Sequence, residues 1–275
     1  MGFPRRVTLR APPPSAGLYE DVEAISKALD QYEKDTGNDV PIHVDAASGG
    51  FIVPFTAAND SLVWDFRLER VKSINASGHK FGLAPLGCGW VVWRDAACLP
   101  EELVFHVTYL GGDMPTFQIN FSRPASQVIA QYFNFVTLGK DGYGRIHNSA
   151  HAISLYCAKE LKEMDVFEVL HDGDPVKGIP CVTWTLSPKA DASFTLYDLA
   201  DRLRMRGWQV PAYPFTGVYE KQAYQRILVK RGFTIELAEL LMQDVKTAIK
   251  HFSMNPVKAD VHPHDRGVTS SYSHK

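Results

Sequence analysis

The sequence runs to 275 residues, 45% hydrophobic and 22% charged, an ordinary globular composition with room for one large domain or two smaller ones. Lysine and arginine number 29 against 31 acids, a net charge of −2, and no basic stripe interleaved with aromatics occurs, so no nucleic-acid partner is expected. No apolar run approaches membrane-spanning length, and no membrane partner is expected either.

The first 17 residues carry Arg5, Arg6 and Arg10, no acid, and the run Pro12-Pro13-Pro14. Proline at that density opposes an amphipathic targeting helix, and residues 1–18 read as a disordered or aberrant leader. Val22, Ile25, Leu29 and Tyr32 then recur at helical spacing and predict a helix over 19–36, stopped by Gly37. A strand over 40–45 follows and ends in Asp45; the chain turns sharply through Ala46, Ala47, Ser48, Gly49 and Gly50. Helix followed by strand is the alternation of a mainly parallel α/β sheet.

Residues 56–61 read as a loop, 68–77 and 89–94 as strands, 103–110 as a further short strand, and 114–116, which holds Pro115, as an irregular loop. Pro124 opens a predicted helix that Gly139 ends. A longer helix over 141–164 would bury Ile146, Ala150, Ile153, Tyr156 and Leu161. Strands are expected over 179–186, 208–213 and 226–230. Between the first two, Thr195 and Asp198 form a capping box that opens a helix to Met205. The last helix, 234–254, turns Leu237, Leu240, Leu241, Val245 and Ile249 inward, and 255–275 reads as a polar, mobile tail. The boundaries are thus 1–18, 19–138 for the remainder of a large domain, 139–254 for a bridging helix and a small α+β domain, and 255–275.

Chemistry concentrates in two places. Ser73 to Gly82 is a polar, strand-forming run that delivers Lys80 between Gly78 and Gly82, beside His79. A lysine just past a strand suits an aldehyde cofactor held as a Schiff base. Asp45 ends a strand 35 residues earlier. A carboxylate so placed can hold a proton on the nitrogen of a pyridine ring, which makes pyridoxal phosphate the cofactor that this pair would serve. The ten histidines read as scattered, and no metal site is expected. Cys88, Cys98, Cys157 and Cys181 form no Cys-x-x-Cys pair and read as reduced thiols of a cytoplasmic protein.

His43-Val44-Asp45-Ala46-Ala47-Ser48-Gly49-Gly50-Phe51, Val63 to Leu68 and Ser77 to Gly87 closely resemble the glutamate decarboxylase family. So do Tyr109-Leu110-Gly111-Gly112, Asn120 to Pro124, Thr195 to Leu199 and Arg206 to Pro211. The resemblance runs from about Tyr19 to the C-terminus. It implies a pyridoxal-phosphate enzyme of the aspartate-aminotransferase-like type, fold type I: the C-terminal portion of the large α/β domain, then the small domain. It implies decarboxylation of L-glutamate to 4-aminobutanoate and carbon dioxide by a homodimer or higher homo-oligomer.

The resemblance also assigns roles. Lys80 would be the Schiff-base lysine and Asp45 the pyridinium partner, with Ala47 and Ser77 against the cofactor. His79 is either a packed turn histidine or a phosphate and proton-transfer group. Phe121 and Ser122 match positions where a neighbouring subunit completes the phosphate site; Ser122 would serve equally as a helix N-cap. Arg226, in an apolar strand, would grip the substrate carboxylate with its planar fork. His274 resembles a terminal histidine that closes over the cofactor in bacterial members, and reads otherwise as part of a disordered tail. The part of the family that precedes Tyr19 has no counterpart, so a truncated chain is expected. It would be either an enzyme whose missing segment lies upstream or an inactive remnant that retains only dimer contacts.

Overall fold

A computed structural model describes residues 16–108, 111–116, 122, 124–215 and 222–257. Among these, the chain divides into two compact units, 20–145 and 146–257 joined by 16–19. Phe121, His274 and most of the expected tail lie outside the described residues.

In the first unit, helix α1 spans Val22–Thr36. It starts where Asp21 accepts the Ala24 N–H at 2.8 Å and ends at Gly37, whose φ of 73° is the left-handed cap that glycine adopts without strain. Val22 and Ile25 pack with Ile42, Ala46, Val71 and Ile74 of the sheet. Tyr32, expected on that inner face, is exposed. The second half of the helix is held instead by Arg70, whose guanidinium binds Asp30, Glu33 and Asp39.

The sheet joins β1 (Ile42–Asp45), β2 (Val71–Ser77) and β3 (Gly89–Trp93) in that order. β1 and β2 are parallel, β2 and β3 antiparallel. Residues 56–61 are not simply a loop: two 3-10 turns, Gly49–Phe51 and Val53–Phe55, lead into the short helix α2 (Ala58–Ser61). The 114–116 segment is also regular. Strands β4 (Phe105–Val107) and β5 (Met114–Thr116) pair antiparallel, with Pro115 opposite His106. A two-stranded ribbon leaves each strand an open edge, where a proline costs no ladder bond.

Helix α3 (Ser126–Lys162) absorbs both helices expected on either side of Gly139. Gly139 (φ 56°, ψ −169°) breaks the helical backbone, and the coil resumes at once. Ser122 is exposed and precedes the first helical residue by four, so it is not the N-cap.

The second unit is a four-stranded antiparallel sheet, β6-β7-β9-β8, with helices packed on it. Its strands are β6 (Phe167–His171), β7 (Cys181–Leu186), β8 (Ala212–Pro214) and β9 (Ala223–Leu228). β6 was not anticipated. β8 begins later than expected because Trp208 is engaged elsewhere, its Nε1–H donating to Asp244 at 2.8 Å. Helix α4 (Leu196–Arg204) opens with the Thr195–Asp198 capping box, and α5 (Ile235–Met254) is capped by Thr234.

In α5, Leu237 and Leu240 are exposed; Ala238, Leu241, Met242, Val245, Ala248 and Phe252 form the buried stripe. They join Ala150, Ile153 and Leu161 of α3 and Trp184 of β7 in one apolar core. Ala16 and Gly17, assigned above to a disordered leader, are ordered against this unit. The Ala16 carbonyl accepts the Thr183 hydroxyl at 2.8 Å, and Leu18 bridges to Gly178.

Candidate active site

Asp45 and Asn75 are register partners at the ends of the parallel strands β1 and β2. Parallel pairing sends both strands towards the same side, so the residues that follow Asp45 and Ser77 emerge together. This is the carboxyl-end position at which open α/β sheets bind ligands. Three residues beyond β2, the Lys80 N–H bonds the Ser77 carbonyl at 3.2 Å, and the Ser77 N–H bonds the Ala47 carbonyl at 3.1 Å. Backbone bonds thus link Ala47 to Ser77 and Ser77 to Lys80, on the side of the sheet where β1 ends at Asp45. Lys80 is half-buried, and among the described residues its ammonium takes part in no ion pair.

The Asp45 carboxylate accepts the Asn75 side-chain N–H at 3.1 Å and the Ala47 backbone N–H at 3.3 Å. Asn75 Oδ1 lies 3.2 Å from His43 Nε2, and His43 Nδ1 lies 2.7 Å from the Ser73 hydroxyl. Because Asn75 spends its N–H group on Asp45, its oxygen must accept from His43. That order puts a proton on Nε2 of His43 and orients the chain Ser73–His43–Asn75–Asp45 in one direction. Neither His43 nor Asn75 was singled out from sequence. The signal was present: polar residues alternate at 43 and 45 and at 73, 75 and 77, one face of each paired strand.

His79 Nδ1 lies 2.9 Å from the Cys88 carbonyl, which accepts only. The proton therefore sits on Nδ1, and Nε2 is the basic nitrogen of the ring. The Cys88 contact is the one the packed-turn reading of His79 would make.

The loop after Lys80 is gripped by the first arm of α3. Gln131 is fully buried; its Nε2–H group donates to the Gly82 carbonyl at 2.7 Å and to the Tyr143 hydroxyl at 3.0 Å. Tyr143 donates to the same carbonyl at 2.8 Å. Asn134 donates to the Leu83 carbonyl at 3.0 Å, and Leu83 holds a φ of 65°, unusual for a branched side chain. Burial raises the Tyr143 phenol above its ordinary range, which keeps it a donor.

Arg226 lies in the second unit, on β9 opposite Thr183, half-buried with its guanidinium 5.7 Å above the Tyr213 ring. His147 and His151 are one turn apart on α3, a His-x-x-x-His pair that contradicts the expectation of scattered histidines with no such pair. Among the described residues they belong to no cluster of three metal-ligating groups. No described helix is long and apolar enough to cross a membrane.

The donor set fits a pyridine cofactor bearing an aldehyde. It has a primary amine past one strand, a carboxylate oriented by two N–H groups at the end of the next, and glycines that allow close backbone approach between them.

Residues 13–186 match the family model described as the pyridoxal-dependent decarboxylase conserved domain. The chain is 49% identical over 256 residues to a glutamate decarboxylase of Aliivibrio fischeri, covering 93% of this chain and 54% of that protein. It is 45% identical over 258 residues to one of Lactococcus lactis, with 94% and 54% covered. The solved Lactobacillus brevis glutamate decarboxylase superposes with a TM-score of 0.78 at 46% identity, over 84% of this chain and 52% of that one. A Burkholderia pseudomallei sphingosine-1-phosphate lyase superposes at 0.64 and 26% identity, over 86% and 50%. The chain spans about half the length of the relatives it matches.

Proposed function

The chain belongs to the pyridoxal-dependent decarboxylase family, and on that premise we propose that it carries the lysine-and-carboxylate part of a glutamate decarboxylase site. The observation that carries this reading is the placing of Asp45 at the end of β1 and of Lys80 three residues past the end of its parallel neighbour β2. Its support from relatives is the two glutamate decarboxylases at 45% and 49% identity.

Pyridoxal phosphate, when bound, supplies a protonated ring that takes up the electron pair released as the α-carboxylate leaves. Lys80 holds the cofactor covalently. Asp45, aimed by Asn75 and Ala47, retains the proton on the ring nitrogen. Ser77 and His79 are the candidate phosphate and proton-transfer groups, and Ser122 is the candidate for completing the phosphate cradle from a second copy of the chain. Arg226, in the second unit, is by the family pattern the candidate for binding a carboxylate. The net reaction exchanges the α-carboxylate of L-glutamate for a proton and yields 4-aminobutanoate and carbon dioxide.

A homodimer is part of this reading. Val128, Ile129, Tyr132, Phe133 and Val136 on the first arm of α3 are all more than half exposed, an apolar face that a second copy would cover. A cytoplasmic location is supported by four cysteines that are all free.

The test replaces the matching half of the Lactobacillus brevis enzyme with this chain. L-Glutamate should then yield carbon dioxide and 4-aminobutanoate in equal amounts, and a Lys80→Ala version should yield neither. Carbon dioxide from aspartate but not glutamate would overturn the substrate assignment.

A further inference from the structure

We infer that Gln131 is a positioning residue for Lys80, setting the backbone of the loop from which that lysine reaches. The inference rests on the cofactor reading above and adds to it a residue some fifty positions away in sequence. Gly78 and Gly82 bracket Lys80 at two residues on either side, and the Gln131 amide is wedged between them. A Cβ built at Gly78 would lie 2.3 Å from Gln131 Oε1, and one at Gly82 2.8 Å from the same oxygen. The other end of the amide donates to the Gly82 carbonyl, which Tyr143 also engages. Asn134, three residues on and therefore on the same helical face, fixes the next carbonyl.

Stability alone does not account for an amide here. Gln131 is fully buried, and among the described residues its Oε1 has no hydrogen-bond donor. A buried acceptor without a donor is a cost that an apolar side chain of the same length would avoid. What the amide supplies, and methionine cannot, is a directed bond to one carbonyl of the Lys80 loop. Two donors converging on Gly82 hold the peptide planes after Lys80 in one orientation. The stem of the lysine then starts from a fixed place, and positional precision of this kind governs the rate of a covalent step.

The experiment uses the chain with Gln131→Met and, separately, Tyr143→Phe. Each protein is incubated with pyridoxal phosphate and reduced with borohydride, and the label at Lys80 is compared with that at Lys250, an exposed lysine of α5. Both variants should lower the Lys80-to-Lys250 ratio by roughly tenfold or more. The Ala84 amide, bonded to the Gly78 carbonyl at 3.0 Å, should exchange its hydrogen faster while the β2 amides do not change.

A purely space-filling role would shift the melting temperature and leave the ratio unmoved, and that result overturns the proposal alone. A parent chain with no preference for Lys80 overturns the cofactor reading and the proposal with it. Should Gln131→Met fail to fold, Tyr143→Phe removes a donor to the same carbonyl with almost no change of volume, and its unaltered ratio would be equally decisive.

Discussion

Asn75 donates its side-chain N–H to the Asp45 carboxylate at 3.1 Å across the parallel ladder of β1 and β2. The carboxylate is therefore aimed by the strand beside it as well as by its own turn. Replacing Asn75 with leucine removes a hydrogen bond to a charged group, about 1.5 kcal/mol, and should weaken pyridoxal phosphate binding about tenfold. A fluorescence titration of parent and variant measures this. Equal affinities would show that Ala47 and the remaining contacts of Asp45 suffice.

Asp45→Asn separates holding the cofactor from using it. The amide keeps the shape of the carboxylate but cannot hold a proton on a ring nitrogen. In the chimera with the Lactobacillus brevis enzyme, borohydride labelling of Lys80 should survive while carbon dioxide release falls by orders of magnitude. Undiminished release would remove Asp45 from its assigned role.

How much of this was legible beforehand differs from residue to residue. Asp45 and Lys80 stood out because Asp45 closes β1 and Lys80 follows β2 by three residues, and the glycines after each strand mark both places locally. The Thr195–Asp198 cap was legible for the same reason: its partners are three residues apart. Gln131 was not, because a helical glutamine looks the same whether it faces water or a carbonyl 49 residues away. The inner face of α5 was misread because Leu237 and Leu240 are no less apolar than Ala238 and Met242; the neighbouring elements decide which side is covered. β6 was missed because it follows α3 through a turn at Met164 and Asp165 with no glycine or proline to announce it.

Close packing around Lys80 predicts an intolerance that can be measured without any cofactor. A Cβ at Gly82 would stand 2.7 Å from the Gly78 carbonyl oxygen, a backbone atom that cannot swing away. Gly82→Ala should therefore cost about 1–3 kcal/mol of unfolding free energy in urea. Gly89→Ala, where a Cβ meets nothing within 4 Å, should stay within about 0.5 kcal/mol of the parent. Equal effects at the two sites would contradict the tight loop.

The second unit should weaken in mild acid. His151 and His171 are buried, with one ring nitrogen of each bonded to a backbone carbonyl, Gly173 at 2.7 Å and Ile179 at 3.0 Å. Burial holds both below their ordinary value of 6.5. The carbonyl bonds and Asp174 oppose this for both residues, as Asp172 does for His171. As pH falls through about 6.5 the unfolded chain takes up protons that the folded one resists. Folding stability is then present above that pH and is lost below it. Urea midpoints of this unit should drop between about pH 7 and pH 5, and the drop should shrink in the His151→Gln, His171→Gln double variant. A midpoint that rises on acidification would mean that these histidines gain a partner when charged.

The central claim is that Lys80 is the residue which holds the cofactor. Borohydride reduction of the chain incubated with pyridoxal phosphate, followed by peptide mapping, tests it directly. The label should fall on Lys80 ahead of every other lysine and be lost in Lys80→Arg. A label centred on Lys72, which precedes it on β2, or spread evenly over the surface lysines would contradict the assignment.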